Sequence, residues 1–190
     1  MPLKSSLKKE KRAFQILSRK TVFRGYVSQL DVLEIKTSSG RKVEREVIRH
    51  PGAVVIIPKL SDGRLVLIHQ LRVATGRKIW EFPAGTLEKR ESIFQCAARE
   101  LQEETGWKPG RLKKLIEYYP TPGISTERMY LFLADRLSES TNHKPDLDEE
   151  LEPATFTLGQ IDRMIKTGKI IDGKTILGFL LYERLLSKAA

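Results

Sequence analysis

The stretch "SIFQCAARELQEETGW", residues 92–107, admits little besides a helix with one acidic edge. Ser92 and Gln95 have the spacing of a reciprocal N-terminal cap, and Gly106 stands where a left-handed C-terminal cap belongs. At 100° per residue, Phe94, Ala97, Ala98 and Leu101 form one apolar strip. Glu100, Glu103 and Glu104 share an arc of about 100° beside it. Arg99 lies one turn before Glu103 and can brace it. Each like-charge pair at this spacing costs only about 0.2–0.5 kcal/mol. Taken alone, the three glutamates therefore read as a solvated helix face.

The chain around this helix is rich in strand signals. "KTVFRGYVSQLDVLEIKTSSGRKVEREVIRH" reads as antiparallel β-structure, with "TSSG" as a turn and "RKVEREVI" alternating polar and apolar. "HPG" at residues 50–52 breaks the pattern. "AVVIIPKL" is a nearly continuous apolar strand that "SDG" turns into "RLVLIHQLR", predicting a hairpin. "KIWEFPAG" is short and extended. "LKKLIEYY" and "RMYLFLAD" read as strands joined by "PTPGISTE". A further strand is expected near "PATFTL", then helices over about 158–168 and 174–188. These elements predict an α/β fold with a mixed sheet and helices on its faces, plus a small N-terminal antiparallel β-subdomain. The expected division is a basic leader at 1–20, the β-subdomain at 21–49 and the main domain at 50–190.

Composition sets the outer limits. A chain of 190 residues, 40% of them hydrophobic, can bury a substantial core. No apolar run approaches the roughly 18 residues needed to span a bilayer, and the basic N-terminus lacks the apolar stretch of a secretory signal. Cys96 is the single cysteine, so no internal disulfide can form, and a reducing cytoplasm is the expected compartment. The formal net charge of +10 is unevenly spread: residues 1–25 carry eight Lys/Arg against one Glu, whereas residues 139–152 carry six acids against one Lys. The basic leader could meet a polyanion or simply be solvated.

The acidic helix changes meaning in a wider window, "GTLEKRESIFQCAARELQEETGW". Gly85 is followed after five residues by Glu91. Seven residues later come Arg99-Glu100-Leu101, then Glu103-Glu104 and Gly106-Trp107, each pair after one residue. This resembles the Nudix box at every specified position, and a chance match is far below about one in a million. The resemblance implies a Nudix α/β/α sandwich and hydrolysis of a pyrophosphate with Mg²⁺ or Mn²⁺. Hard cations take oxygen ligands, and a cation can neutralise phosphate oxygens and activate water. By position, Glu100 and Glu104 would be the principal ligands. Glu103 would be a further ligand or a supporting carboxylate, and Ala84 would offer its backbone carbonyl. Arg99 and Glu91 would brace the helix.

The flanks "HPGAVVIIP", "HQLRVATGRKIWEFPAG" and "PTPGISTERMYLFLA" resemble the ADP-ribose pyrophosphatase and nucleoside-diphosphate-sugar hydrolase branch, including Pro122, 15 residues after Trp107. By that resemblance Arg72 would contact the substrate diphosphate, and Glu81 and Glu127 would be further substrate contacts. The acidic stretch "DLDEELEP" would supply a glutamate as base, water-orienting group or added metal ligand. Glu149 is the best match, with Glu150 and Glu152 as close rivals. His50, His69 and His143 show no metal-ligand spacing. The resemblance also implies a homodimer through residues 21–49, in which Arg45, Arg49, Phe23 or Tyr26 could reach a partner's substrate.

The expected activity is thus Mg²⁺-dependent cleavage of a nucleoside diphosphate sugar (ADP-ribose, GDP-mannose or similar) to a nucleoside monophosphate and a sugar phosphate. Alternatives are hydrolysis of nucleoside triphosphates, dinucleoside polyphosphates or capped RNA, and a non-enzymatic ADP-ribose-binding regulator. Neither a membrane nor a nucleic-acid partner is expected.

Overall fold

The computed structural model describes residues 13–140 and 151–186. They fall into two compact units, one of residues 13–52 and 116–129, the other of residues 53–115, 130–140 and 151–186.

The first unit is a three-stranded antiparallel meander, β1 (Phe14–Arg24), β2 (Gln29–Thr37) and β3 (Lys42–Arg49), in that order. β1 begins inside the segment expected as a leader: Phe14 pairs with Thr37, and the ladder continues to Arg24 opposite Gln29. All but one residue of this strand are exposed, so no alternation marks it in the sequence. Residues 116–129 also belong to this unit, although the expected boundary placed them in the main domain. Backbone pairing explains it: Ile48 N–H donates to the Ile124 carbonyl at 2.8 Å, and Thr126 N–H donates to the Ile48 carbonyl at 2.9 Å.

The second unit holds most of the core. Its elements are β4 (Ala53–Pro58), β5 (Leu65–Arg72), β6 (Arg77–Glu81), β7 (Ala84–Thr86), α1 (Ile93–Thr105), β8 (Trp107–Lys108), the first five residues of β9 (Arg111–Tyr118), all but the first residue of β10 (Met129–Asp135), β11 (Ser138–Glu139), β12 (Leu151–Phe156), α2 (Leu158–Lys166) and α3 (Gly173–Leu186). They build a four-stranded sheet in the order β7-β4-β10-β9, a three-stranded sheet β12-β5-β6 and the short pair β11-β8.

The hairpin expected between β4 and β5 does not form. The turn is present, with Leu60 N–H donating to the Arg64 carbonyl, but pairing stops after a single bridge, Lys59 to Leu65. All six residues of β4 and the first four of β5 are buried. Strands so apolar take neighbours on both edges and cover on both faces, and here each does so in its own sheet.

α1 has the bounds its caps dictate. The Ser92 side chain accepts from the Gln95 N–H, the Gln95 side chain accepts from the Ser92 N–H, and Gly106 closes the helix at φ 75°. Cys96, Ala97 and Leu101 are buried against Val54 and Ile56 of β4 and Phe132 and Ala134 of β10. Phe94, expected in the same strip, is about half exposed and meets Phe132 edge-on at 5.1 Å. On α3, Phe179 and Tyr182 are buried. Gly178 lets that helix approach Phe82 and Leu131, since an added Cβ would lie 3.3 Å from either side chain.

Candidate active site

The acidic edge of α1 faces the short strand β7. A Cβ on Gly85 would fall 1.9 Å from the Glu100 carboxylate carbon, so glycine is what lets this carboxylate lie against the strand. Glu104 is 3% exposed and accepts a hydrogen bond from the Ala84 N–H at 2.9 Å. Glu103 is the outermost of the three, with 41% of its side chain exposed.

Arg99 gathers the rest. Its Nε and Nη2 donate to the two oxygens of Glu91 at 2.8 and 2.9 Å. Its Nη1 lies 2.8 Å from Glu100 Oε1 and 2.9 Å from Glu103 Oε2. Hydrogen bonds from Arg99 are the main reason Glu91 is held below the usual carboxylate range. Glu91 also accepts from the Glu88 N–H, which ties the loop before the helix to this hub. Burial pushes the neighbouring Cys96 thiol up, helped by the charges of Glu100 and Glu91, so Cys96 stays a neutral packing group.

Among the described residues, no three His, Cys, Asp or Glu side chains are gathered tightly enough to cage an ion unaided. The helix carboxylates rest on Arg99 and on the Ala84 N–H instead. Arg99 is shared among Glu91, Glu100 and Glu103, Glu104 lies one helical turn beyond Glu100, and carboxylate oxygens are the donors that hard divalent cations take. The residues present therefore suit such a cation.

A second cluster stands beside the first, on β5, β6 and the start of α3. Glu81 is fully buried. Arg72 grips it through both oxygens, Nε to Oε1 and Nη2 to Oε2, each at 2.7 Å. Lys174 Nζ donates to Glu81 Oε2 as well and lies 3.0 Å from Asp172 Oδ1. Burial pushes Glu81 up, but Arg72 and Lys174 together outweigh it and hold the carboxyl below its usual range. Arg72 is held protonated above all by its hydrogen bonds to Glu81, and the charges of Glu104 and Asp172 add to that pull. The two clusters are thus electrostatic neighbours.

Register separates the remaining candidates. Ile68 is paired with Glu81, which puts Ile68, Gln70, Arg72 and Glu81 on one face of the β12-β5-β6 sheet. Glu152 is paired with His69 and lies on the opposite face. There it meets Lys78 at 2.8 Å and His69 at 3.8 Å, and His69 stacks on Trp80. Glu149 and Glu150 lie outside the described residues.

In the first unit, Glu127 Oε1 lies 3.8 Å from His50 Nδ1. Arg49 donates to the buried Asp31 at 2.9 Å, and Arg45 to the Glu44 carbonyl. Phe23 is 60% exposed and Tyr26 fully so. An open hollow of about 410 Å³ in this unit is lined by Arg24, Ser28, Gln29, Arg49, His50 and Thr126.

Arg72 and Glu81 are each legible in the sequence, whereas their pairing and the contact with Lys174 are not. The one local signal was a lysine in the first turn of a helix, where the macrodipole disfavours a cation.

The NUDIX domain model matches residues 49–178. The chain is 34% identical to the ADP-ribose pyrophosphatase of Bacillus subtilis (strain 168), over 84% of this chain and 86% of that one. It is 36% identical to a GDP-mannose pyrophosphatase of Escherichia coli (strain K12 / DH10B), over 70% of this chain and 77% of that one. Its fold is similar to that in a crystal structure of an ADP compounds hydrolase, with a TM-score of 0.82 at 22% identity, covering 96% of this chain and 99% of the other. With a family model over more than half its length and a relative of this identity, the chain belongs to the Nudix family.

Proposed function

We propose that this Nudix pyrophosphohydrolase cleaves the diphosphate bond of ADP-ribose or a related nucleoside diphosphate sugar, giving a nucleoside monophosphate and a sugar phosphate. The observation that carries the reading is the placement of Glu100 against Gly85 and Glu104 against Ala84, with Arg72 beside them. The relatives named for ADP-ribose and GDP-mannose hydrolysis support the substrate class.

Nudix hydrolases generally use divalent metal ions. Here Mg²⁺ or Mn²⁺ would be held by Glu100 and Glu104, with Glu103 assisting and the Ala84 carbonyl as a further donor. When bound, the cation supplies charge neutralisation of the phosphate oxygens and an acidified water. Arg99 holds Glu100 and Glu103 in one place. Arg72 offers a forked, permanently charged donor to the diphosphate. Glu81 sets the position of Arg72, and Glu127 is a candidate contact to a sugar hydroxyl. Glu149 is the proposed base or water-orienting group, with Glu150 as its rival. Glu152 is the weaker candidate, because it lies on the sheet face opposite Arg72 and is engaged by Lys78.

A second copy of the chain is the proposed partner, docking through residues 21–49. The exposed Phe23 and Tyr26 support this. The single buried Cys96 fits a reducing cytoplasm.

The test is product analysis over ADP-ribose, GDP-mannose, UDP-glucose, ATP and diadenosine polyphosphates, each with Mg²⁺ and with Mn²⁺. Nucleoside monophosphate plus sugar phosphate from the sugar nucleotides is expected. Cleavage of triphosphates or dinucleoside polyphosphates alone would refute the reading.

A further inference from the structure

Glu81 is a buried carboxylate with two cations, and the two are not equivalent. Arg72 has 37% of its side chain exposed, Lys174 12% and Glu81 1%. Arg72 is therefore the member that can turn outward, while Lys174 stays behind.

Lys174 is held from several sides. Asp172 caps α3, accepting from the Thr175 N–H at 2.9 Å and from the Thr175 hydroxyl at 2.6 Å. The Thr175 hydroxyl oxygen in turn accepts from the Phe82 N–H at 2.8 Å. The first turn of α3 is thus fastened to the residue after Glu81, and this fastening aims Lys174 at the Glu81 carboxylate. A lysine here stands against the helix dipole, with no acidic residue in the first turn to offset it. Its compensation is Glu81, together with the capping Asp172. A local conflict of this kind, resolved only by a neighbouring charge, marks a position chosen for that neighbour.

We propose that Lys174 is a positioning residue that lets Arg72 exchange its grip from Glu81 to the substrate diphosphate. A buried carboxylate stripped of its only cation is strongly disfavoured. Were Arg72 the sole partner, Glu81 would hold it back from the substrate. With Lys174 in place, Glu81 keeps a countercharge when Arg72 leaves, and Arg72 engages phosphate oxygens at lower cost. Glu81 then anchors the two cations, and Lys174 makes the anchor releasable. This role rests on the proposed grip of Arg72 on a diphosphate.

The experiment compares KM and kcat for ADP-ribose with Mg²⁺, alongside thermal melting, in Lys174→Met, Lys174→Arg, Glu81→Gln, Arg72→Met and the double variant Glu81→Gln/Lys174→Met. Lys174→Met should raise KM about tenfold, equivalent to about 1.4 kcal/mol of lost binding, and Lys174→Arg should restore most of that loss. The double variant should match Glu81→Gln in KM within about twofold, since a neutral residue 81 no longer restrains Arg72. Should Lys174→Met fail to fold, that last comparison decides alone, because the double variant leaves no unpaired charge at residue 81. Unaltered KM in folded Lys174→Met, or a double variant markedly weaker than Glu81→Gln, would overturn the role. An effect of Arg72→Met without one of Lys174→Met removes only the Lys174 role. An Arg72→Met variant with normal KM removes the grip of Arg72 and this role with it. Absence of sugar-nucleotide hydrolysis in the unaltered protein removes the functional reading itself.

Discussion

The Glu100 carboxylate occupies the space a side chain on residue 85 would need, 1.9 Å from where a Cβ would stand. Gly85→Ala must therefore move one or the other. The obstructed atoms are the flexible end of Glu100, so the carboxylate can swing away without the core being rebuilt. Stability should change by no more than about 1 kcal/mol, below the usual cost of overpacking a rigid core. Turnover should fall by at least about tenfold if Glu100 is the proposed metal ligand, since a ligand moved by an ångström loses much of its effect. Melting curves and Mg²⁺-dependent turnover of the variant check this. A large loss of stability with normal turnover per folded molecule would show that Glu100 matters only for packing.

Arg99 bridges Glu91, Glu100 and Glu103. Arg99→Met should lower stability by about 2–4 kcal/mol, as removal of one member of a largely buried charge network does. Saturating Mg²⁺ should narrow the gap to the unaltered protein, because a cation replaces part of the lost positive charge. Chelation should widen it again. Melting temperatures with and without metal give the comparison, and a gap indifferent to metal would argue against a cation beside Glu100 and Glu103.

Asp31 gives the N-terminal unit an acid-sensitive link. Its carboxylate accepts from Gln29 at 2.6 Å, from Arg49 at 2.9 Å and from Thr21 at 2.9 Å. These bonds, that from Gln29 foremost, bring its pKa from 3.8 down to about 2. A depressed folded pKa means a stabilising contribution present above the unfolded value and lost as pH falls through the folded one. Stability should decline between pH 4 and pH 2, and Asp31→Asn should flatten that part of the profile. Denaturant titrations at stepped pH measure the slope, and an identical slope in the variant would assign the acid sensitivity elsewhere.

The exposed Phe23 and Tyr26 predict self-association through residues 21–49. Phe23→Ser combined with Tyr26→Ser should shift the protein to monomer in sedimentation equilibrium while leaving its helix content unchanged. A monomer before substitution, or a dimer after it, would exclude this surface.

Much of the candidate site is legible because one periodic helix carries it. The cap at Ser92, the stop at Gly106 and the fixed distances to Gly85 and Glu91 place the carboxylates from sequence alone. Elements that depend on distant partners were not legible. "SDG" announces a turn but not whether the flanking strands pair, and β4 and β5 part into different sheets. β1 is hidden by its lack of alternation until β2 is seen opposite it. The return of residues 116–129 to the N-terminal unit depends on Ile48, nearly 70 positions upstream of Ile116. In the Arg72–Glu81–Lys174 group, Lys174 meets Glu81 across 93 positions, and no local pattern encodes that contact.

Glu104→Gln is the most direct test of a metal-holding α1. The substitution keeps the shape of the side chain and removes its charge beside the Ala84 N–H. ADP-ribose turnover measured against Mg²⁺ concentration should fall by roughly 10²–10³-fold, with the melting transition still cooperative. Near-normal turnover at ordinary Mg²⁺ in that variant would contradict the assignment of the acidic helix as the metal site.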